Sequence, residues 1–102
     1  SLSAYLDDLP KTYSTPEIRI DCPEDVKFDV VKRLTAYYKS TFKVIDIDGV
    51  RILLDDGWGL VRPSNTQPIL VLRFEAQTRE ALERIEKMVM KDLERIRKEK
   101  GQ

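Results

Sequence analysis

At 102 residues the chain has room for one domain with a modest core, and a hydrophobic content of 41 % argues against disorder throughout. Its 18 basic and 18 acidic side chains cancel, so the electrostatic footprint of a nucleic-acid binder is lacking. There is no His, which removes the usual general base and the commonest metal ligand, and the single Cys excludes an internal disulfide.

One cysteine suits a reducing compartment, and a cytoplasmic location is expected. No run approaches the length of a membrane-spanning helix, and no signal peptide opens the chain, so neither membrane nor nucleic acid is expected as a partner. The first residue is Ser rather than Met, which leads us to expect a processed or cloned fragment. The charged fraction of 35 % fits a thermophilic source and fits equally a small domain with two long solvated helices.

In chain order, Ser1 to Leu9 reads as a short helix, with Ser3 as cap and Leu2, Leu6 and Leu9 sharing a rough face. Pro10 stops it, and Lys11 to Pro16 reads as a linker. Glu17 to Asp21 alternates, with Ile18 and Ile20 on one side and Arg19 on the other, the pattern of a half-buried strand. Asp21 or Cys22 is the expected cap of the helix that follows, with Pro23 near its first position and Glu24 and Asp25 at its positive end. The helix reaches about Lys39, and Val26, Val30, Leu34, Tyr37 and Tyr38 are its core candidates. Without a His to activate it, Cys22 reads as a small buried residue rather than a nucleophile.

A run of short strands comes next. Phe42 to Ile47 alternates with no clear inward face, and Asp48-Gly49 signals a tight turn. Val50 to Leu54 follows, then the turn Asp55-Asp56-Gly57, then Trp58 to Arg62, a polar loop, and Ile69 to Ala76. Gln77 or Thr78 caps a last helix to about Lys98, whose Leu82, Ile85, Val89, Leu93 and Ile96 form one apolar stripe. The order strand, helix, four strands, helix predicts an α+β fold. It is a two-layer sandwich in which two helices cover one face of an antiparallel sheet.

The loop Arg62-Pro63-Ser64-Asn65-Thr66-Gln67-Pro68 concentrates a guanidinium, two hydroxyls, carboxamides and backbone N–H groups. Such a set of donors suits a phosphate, whose oxygens accept only. Ser, Asn, Thr and Pro are also ordinary turn formers, so composition leaves both readings open. Asp55 and Asp56 are adjacent, as no paired acid and base on one strand face would be, and read as a turn. Asp46-Ile47-Asp48-Gly49 resembles half of a calcium loop without the remaining ligands and also reads as a turn.

With Asp56-Gly57-Trp58, Leu60-Val61 and this loop in hand, the sequence resembles the C-terminal domain (domain 4) of the α-D-phosphohexomutase superfamily, which includes phosphomannomutase, phosphoglucomutase and phosphoglucosamine mutase. Gly49-Val50-Arg51-Ile52 and Leu72-Arg73-Phe74-Glu75-Ala76 carry the likeness further, across roughly Thr15 to Lys98. The resemblance implies a TATA-binding-protein-like arrangement, with residues 1–15 the tail of a preceding domain plus a hinge and residues 16–102 the phosphate-binding domain. It assigns phosphate contact to Arg62, Ser64, Asn65 and Thr66, with Arg73 on the next strand as a helper whose bland reading is an exposed strand charge.

The family's catalytic parts are not in this chain: no phosphorylatable Ser before His-Asn-Pro, no Asp-Gly-Asp-Gly-Asp-Arg metal loop, no Gly-Glu-x-Ser-Gly-His sugar loop. What the resemblance implies is therefore a lid. It would hold the non-transferring phosphate of a hexose 1- or 6-phosphate while the rest of a larger isomerase reacts at the other end. No catalytic residue and no cofactor are expected in this chain, which alone should be inactive; Mg²⁺ is expected in the full-length enzyme. Its partners would be a phosphosugar and the remaining domains. The alternative is a free-standing, non-catalytic module that binds phosphosugars or proteins.

Overall fold

In this structure, a computed structural model, residues 12–101 are described. The helix expected over Ser1 to Leu9 lies outside them. The elements are β1 (Tyr13–Ser14), β2 (Ile18–Asp21), α1 (Lys27–Lys39), β3 (Lys43–Ile45), β4 (Val50–Leu54), β5 (Gly57–Pro63), β6 (Ile69–Ala76) and α2 (Arg79–Glu99). Every strand pair is antiparallel, in the order β1-β6-β5-β4-β3, with β2 also on β6. The expected sandwich is present, and the helices share one face of the sheet. One part of the linker reading changes: Tyr13 and Ser14 pair with Ala76 and Glu75 of β6. Two residues are too few to show a period, so the free edge of β6 decides their conformation rather than their own pattern.

Alternation on the long strands builds the core. Leu70, Leu72, Phe74 and Ala76 of β6, Gly59 and Val61 of β5, and Val50 and Ile52 of β4 are buried. Their apolar side chains meet Val30, Leu34 and Tyr38 from α1 and Ala81, Ile85, Val89, Leu93 and Ile96 from α2 in one cluster. Val44, opposite Ile52, resolves the ambiguous strand: it packs against the core while Lys43 and Ile45 stay exposed.

Helix termini differ in how they are held. Thr78 caps α2 as expected, its Oγ1 accepting from the Ala81 N–H at 3.0 Å. The cap expected for α1 is not there. Asp21 remains in β2 opposite Ile69, and the Cys22 N–H donates to the Pro68 carbonyl at 2.8 Å, so strand pairing claims both residues. The Pro23 carbonyl then accepts from the Val26 and Lys27 N–H groups at 3.1 and 3.0 Å, and this turn leads into the helix without a side-chain cap. Tyr37, expected in the core, is 45 % exposed, with the Arg95 guanidinium 4.6 Å from its ring centre. Its neighbour Tyr38 is buried instead, and its hydroxyl donates to Asp92 at 2.8 Å. Among the described residues, no helix is long and apolar enough to cross a membrane.

Candidate functional site

The polar loop joins β5 to β6, closed at its base by the Ser64 N–H donating to the Ile69 carbonyl at 3.0 Å. Pro63 ends β5, where it needs no further ladder donor, and Pro68 precedes the first residue of β6. The loop is therefore fixed at both ends, and its inner order comes from Ser64. That side chain is buried, and its Oγ accepts from the Thr66 and Gln67 N–H groups at 3.3 and 3.2 Å. Two of the N–H groups expected to form an open anion cradle are thus turned inward onto a hydroxyl. The Ser64 hydroxyl donates to no acceptor among the described residues, and accepting two N–H bonds polarises its proton toward donation. Asn65, Thr66 and Gln67 are exposed at the tip.

Arg62 is half exposed, with one guanidinium nitrogen 3.9 Å from a Glu17 carboxylate oxygen. An exposed pair at that separation holds little, so the guanidinium is available to a stronger anion. Arg62 and Asn65 line one cleft of about 860 Å³ with Pro63, the Asp46–Gly49 turn and the outer edge of α1, including Phe28 and Lys32. Arg73 does not line it. Strand register places Arg73 opposite Leu60, one diagonal step from Arg62, on the sheet face away from the helices. Arg19 and Arg62 both stand opposite Val71 there, and Arg51 and Arg73 both stand opposite Leu60. Four arginines therefore share the open face of a chain with zero net charge, a clustering that composition cannot reveal. Arg51 lies over the Trp58 ring at 4.6 Å, and the indole N–H donates to Glu75 at 3.0 Å.

The carboxylates weighed as an acid and base pair or as half of a calcium loop have other occupations. Asp56 accepts two hydrogen bonds from Arg84, both at 2.6 Å, which hold its carboxyl below the usual range. Asp46 pairs with Lys39 at 2.8 Å and is lowered for the same reason. Asp48 at φ 57° and Gly49 at φ 128° do reverse the chain, but β3 ends at Ile45, opposite Arg51, so residues 46–49 make a wider connection than the two-residue turn expected after a strand reaching Ile47. Among the described residues, no group of three or more His, Cys, Asp or Glu side chains comes together. Cys22 is buried, and burial raises its thiol pKa, the opposite of an activated nucleophile.

One residue that the sequence reading passed over lies directly beneath the loop. Lys27 is fully buried. Its ammonium donates to Glu24 at 2.9 Å, to the Gln67 carbonyl at 2.9 Å and to the Ser64 carbonyl. A signal for it existed: Lys27, Val31, Leu34 and Tyr38 fall on one helical stripe, so a lysine occupies a core position.

Against known proteins, the family model for the phosphoglucomutase/phosphomannomutase C-terminal domain matches residues 17–101. The chain belongs to this family. Among relatives, a phosphoglucomutase of Neisseria gonorrhoeae is 48 % identical over 87 residues, covering 82 % of this chain and 19 % of that protein. A phosphomannomutase/phosphoglucomutase of Pseudomonas aeruginosa is 46 % identical over 88 residues, covering 85 % and 19 %. A solved phosphoglucomutase/phosphomannomutase family protein from Burkholderia thailandensis superposes with a TM-score of 0.73 at 38 % identity, over 93 % of this chain and 20 % of that one. This phosphoglucomutase/phosphomannomutase domain thus spans about a fifth of the length of the relatives it matches.

Proposed function

We propose that this chain is the phosphate-binding C-terminal lid of a phosphohexomutase, acting on the phosphate of a hexose phosphate that is not being transferred. The observation that carries the reading is the β5–β6 loop itself. Arg62, the free Ser64 proton, the Asn65 amides and the Thr66 hydroxyl belong to one short connection that two prolines and the sheet hold in place. Arg62 presents a planar fork that matches two phosphate oxygens, and its only carboxylate neighbour among the described residues is the exposed Glu17. Arg73, one step further along the open face, adds positive potential rather than a direct contact. The clamp would keep the sugar oriented and exclude water while chemistry proceeds at the opposite end. The phosphorylated serine and the Mg²⁺ site implied by the family resemblance would be supplied by other parts of a longer enzyme, and no step of the chemistry is assigned to residues here.

Amide spectra recorded during addition of glucose 1-phosphate or mannose 6-phosphate test the reading. One arginine and a few neutral donors predict a dissociation constant on the order of millimolar. Shifts should concentrate on residues 62 to 67 and disappear in Arg62→Ala. Shifts spread over α1 and α2, or no shift at tens of millimolar ligand, would overturn it.

A further inference from the structure

We propose that Lys27 is the positioning residue of the loop: from beneath, its ammonium sets the direction of the donors that meet the anion above. The inference rests on the phosphate-binding reading of that loop. Lys27 has three N–H donors and three acceptors, namely the Glu24 carboxylate and the carbonyls of Ser64 and Gln67. No donor is left over, and the side chain is fully buried, so Lys27 does not itself touch a ligand. Its effect passes through the peptide groups it holds.

The geometry of a trans peptide gives the direction. In a planar trans unit the C=O and the following N–H point opposite ways, and the described chain has no cis bonds. With the Ser64 carbonyl drawn down to the ammonium, the Asn65 N–H is aimed up and away from it. That N–H has no acceptor among the described residues, unlike its neighbours on Thr66 and Gln67, which are spent on Ser64 Oγ. The second carbonyl, on Gln67, fixes the far side of the loop just ahead of Pro68. Lys27 therefore clamps the loop at two points three residues apart and leaves one backbone donor pointing outward between them. Because both oxygens of the Glu24 carboxylate lie against the ammonium, Oε1 at 2.9 Å and Oε2 at 2.7 Å, the local field is that of an ion pair rather than a bare charge, and geometry carries the effect. A core lysine is costly to bury, whereas Met or Leu would fill the same helical stripe at no such cost.

Two measurements on the 102-residue chain test this. In the first, glucose 1-phosphate is titrated into wild type, Lys27→Met and Leu34→Ala. Leu34→Ala controls for lost stability from the same helix. Lys27→Met should weaken binding tenfold or more and broaden or shift the Asn65 to Gln67 amides in the unliganded protein, while Leu34→Ala binds within about twofold of wild type. Equal affinity in wild type and Lys27→Met would overturn the positioning role and leave the loop as the phosphate site. No binding by wild type would overturn the phosphate reading, and with it the role assigned to Lys27. The second measurement needs no variant: the ¹⁵Nζ signal of the Lys27 ammonium should be visible at neutral pH and should shift with ligand along the same curve as Asn65. An ammonium signal that stays fixed while Asn65 saturates would overturn the proposal even if Lys27→Met failed to fold.

Discussion

Lys27 and Gln67 lie 40 residues apart in sequence, yet the ammonium of one donates to the carbonyl of the other at 2.9 Å. This bond ties the first turn of α1 to the tip of the β5–β6 connection, and so couples the helix layer to an exposed loop. Loops of this length ordinarily take their order from their own turn residues. Here the order is shared between a helix and a hydroxyl, Lys27 from below and Ser64 from within.

Ser64→Ala separates those two supports. The mutation leaves the Thr66 and Gln67 N–H groups without their side-chain acceptor while Lys27 keeps both carbonyls. Because the bonds are long and partly exposed, the expected loss of stability is about 1–2 kcal/mol, at the modest end for orphaned donors. A urea titration should show a lower midpoint with unchanged slope, and amide exchange at Thr66 and Gln67 should accelerate. Phosphate affinity should fall as well, since on the proposed reading the polarised hydroxyl also donates to the ligand. Unchanged exchange at both amides would show that the hydroxyl does not order the loop.

Much of this fold was legible in the residues, and the exceptions share a cause. Strands β4 and β6 fall where alternation and turn signals put them, and α2 follows from one apolar stripe with Thr78 at its head. What local pattern could not supply was anything decided across the chain. Tyr13 and Ser14 join the sheet because β6 offers an edge, and Asp21 and Cys22 pair with that connection rather than cap a helix. Tyr37 and Tyr38 are adjacent and chemically alike, so only the packing of α2 against α1 determines which is buried. The candidate loop was readable as a cluster of donors, but the inward turn of two of them was not. Nor was the lysine beneath, since a positive charge on an apolar stripe looks like an error until its three acceptors are seen.

Acid should destabilise the domain through its paired carboxylates. A hydrogen bond from Lys100 lowers Asp29, one from Lys39 lowers Asp46, and those from Arg84 lower Asp56. A carboxyl whose folded pKa lies below its unfolded value of about 4 binds its proton more weakly when folded. The resulting stability is present above that unfolded value and is lost as pH falls through the folded one. The urea midpoint should therefore be flat from neutrality to about pH 5 and decline below about pH 4. Asp56→Asn should start lower and lose less on acidification, because one of the linked groups has been removed. A midpoint that rises between pH 5 and pH 3 would contradict the sign of all three shifts.

Gly49→Ala tests how the opposite wall of the site is built. Gly49 has φ 128°, and a Cβ placed on it would lie 2.6 Å from both the Cβ of Arg62 and the carbonyl oxygen of Val61. No flexible side-chain tip is available to move aside, since both obstacles are at or next to the β5 backbone. The substitution must either strain the turn or push β5 outward, and a cost of about 1–3 kcal/mol is expected from overpacking and backbone strain together. Displacement of β5 would move Arg62 relative to Asn65, so phosphate affinity should fall even where the domain remains fully folded. Gly101→Ala is the matched control: it also replaces a glycine at positive φ, 80°, but meets nothing within 4 Å and lies at the far end of α2. Thermal unfolding and a phosphosugar titration on both variants separate backbone strain, which they share, from the clash against Arg62, which only Gly49→Ala introduces. Equal affinities in the two would mean that the turn at Gly49 does not set the position of Arg62.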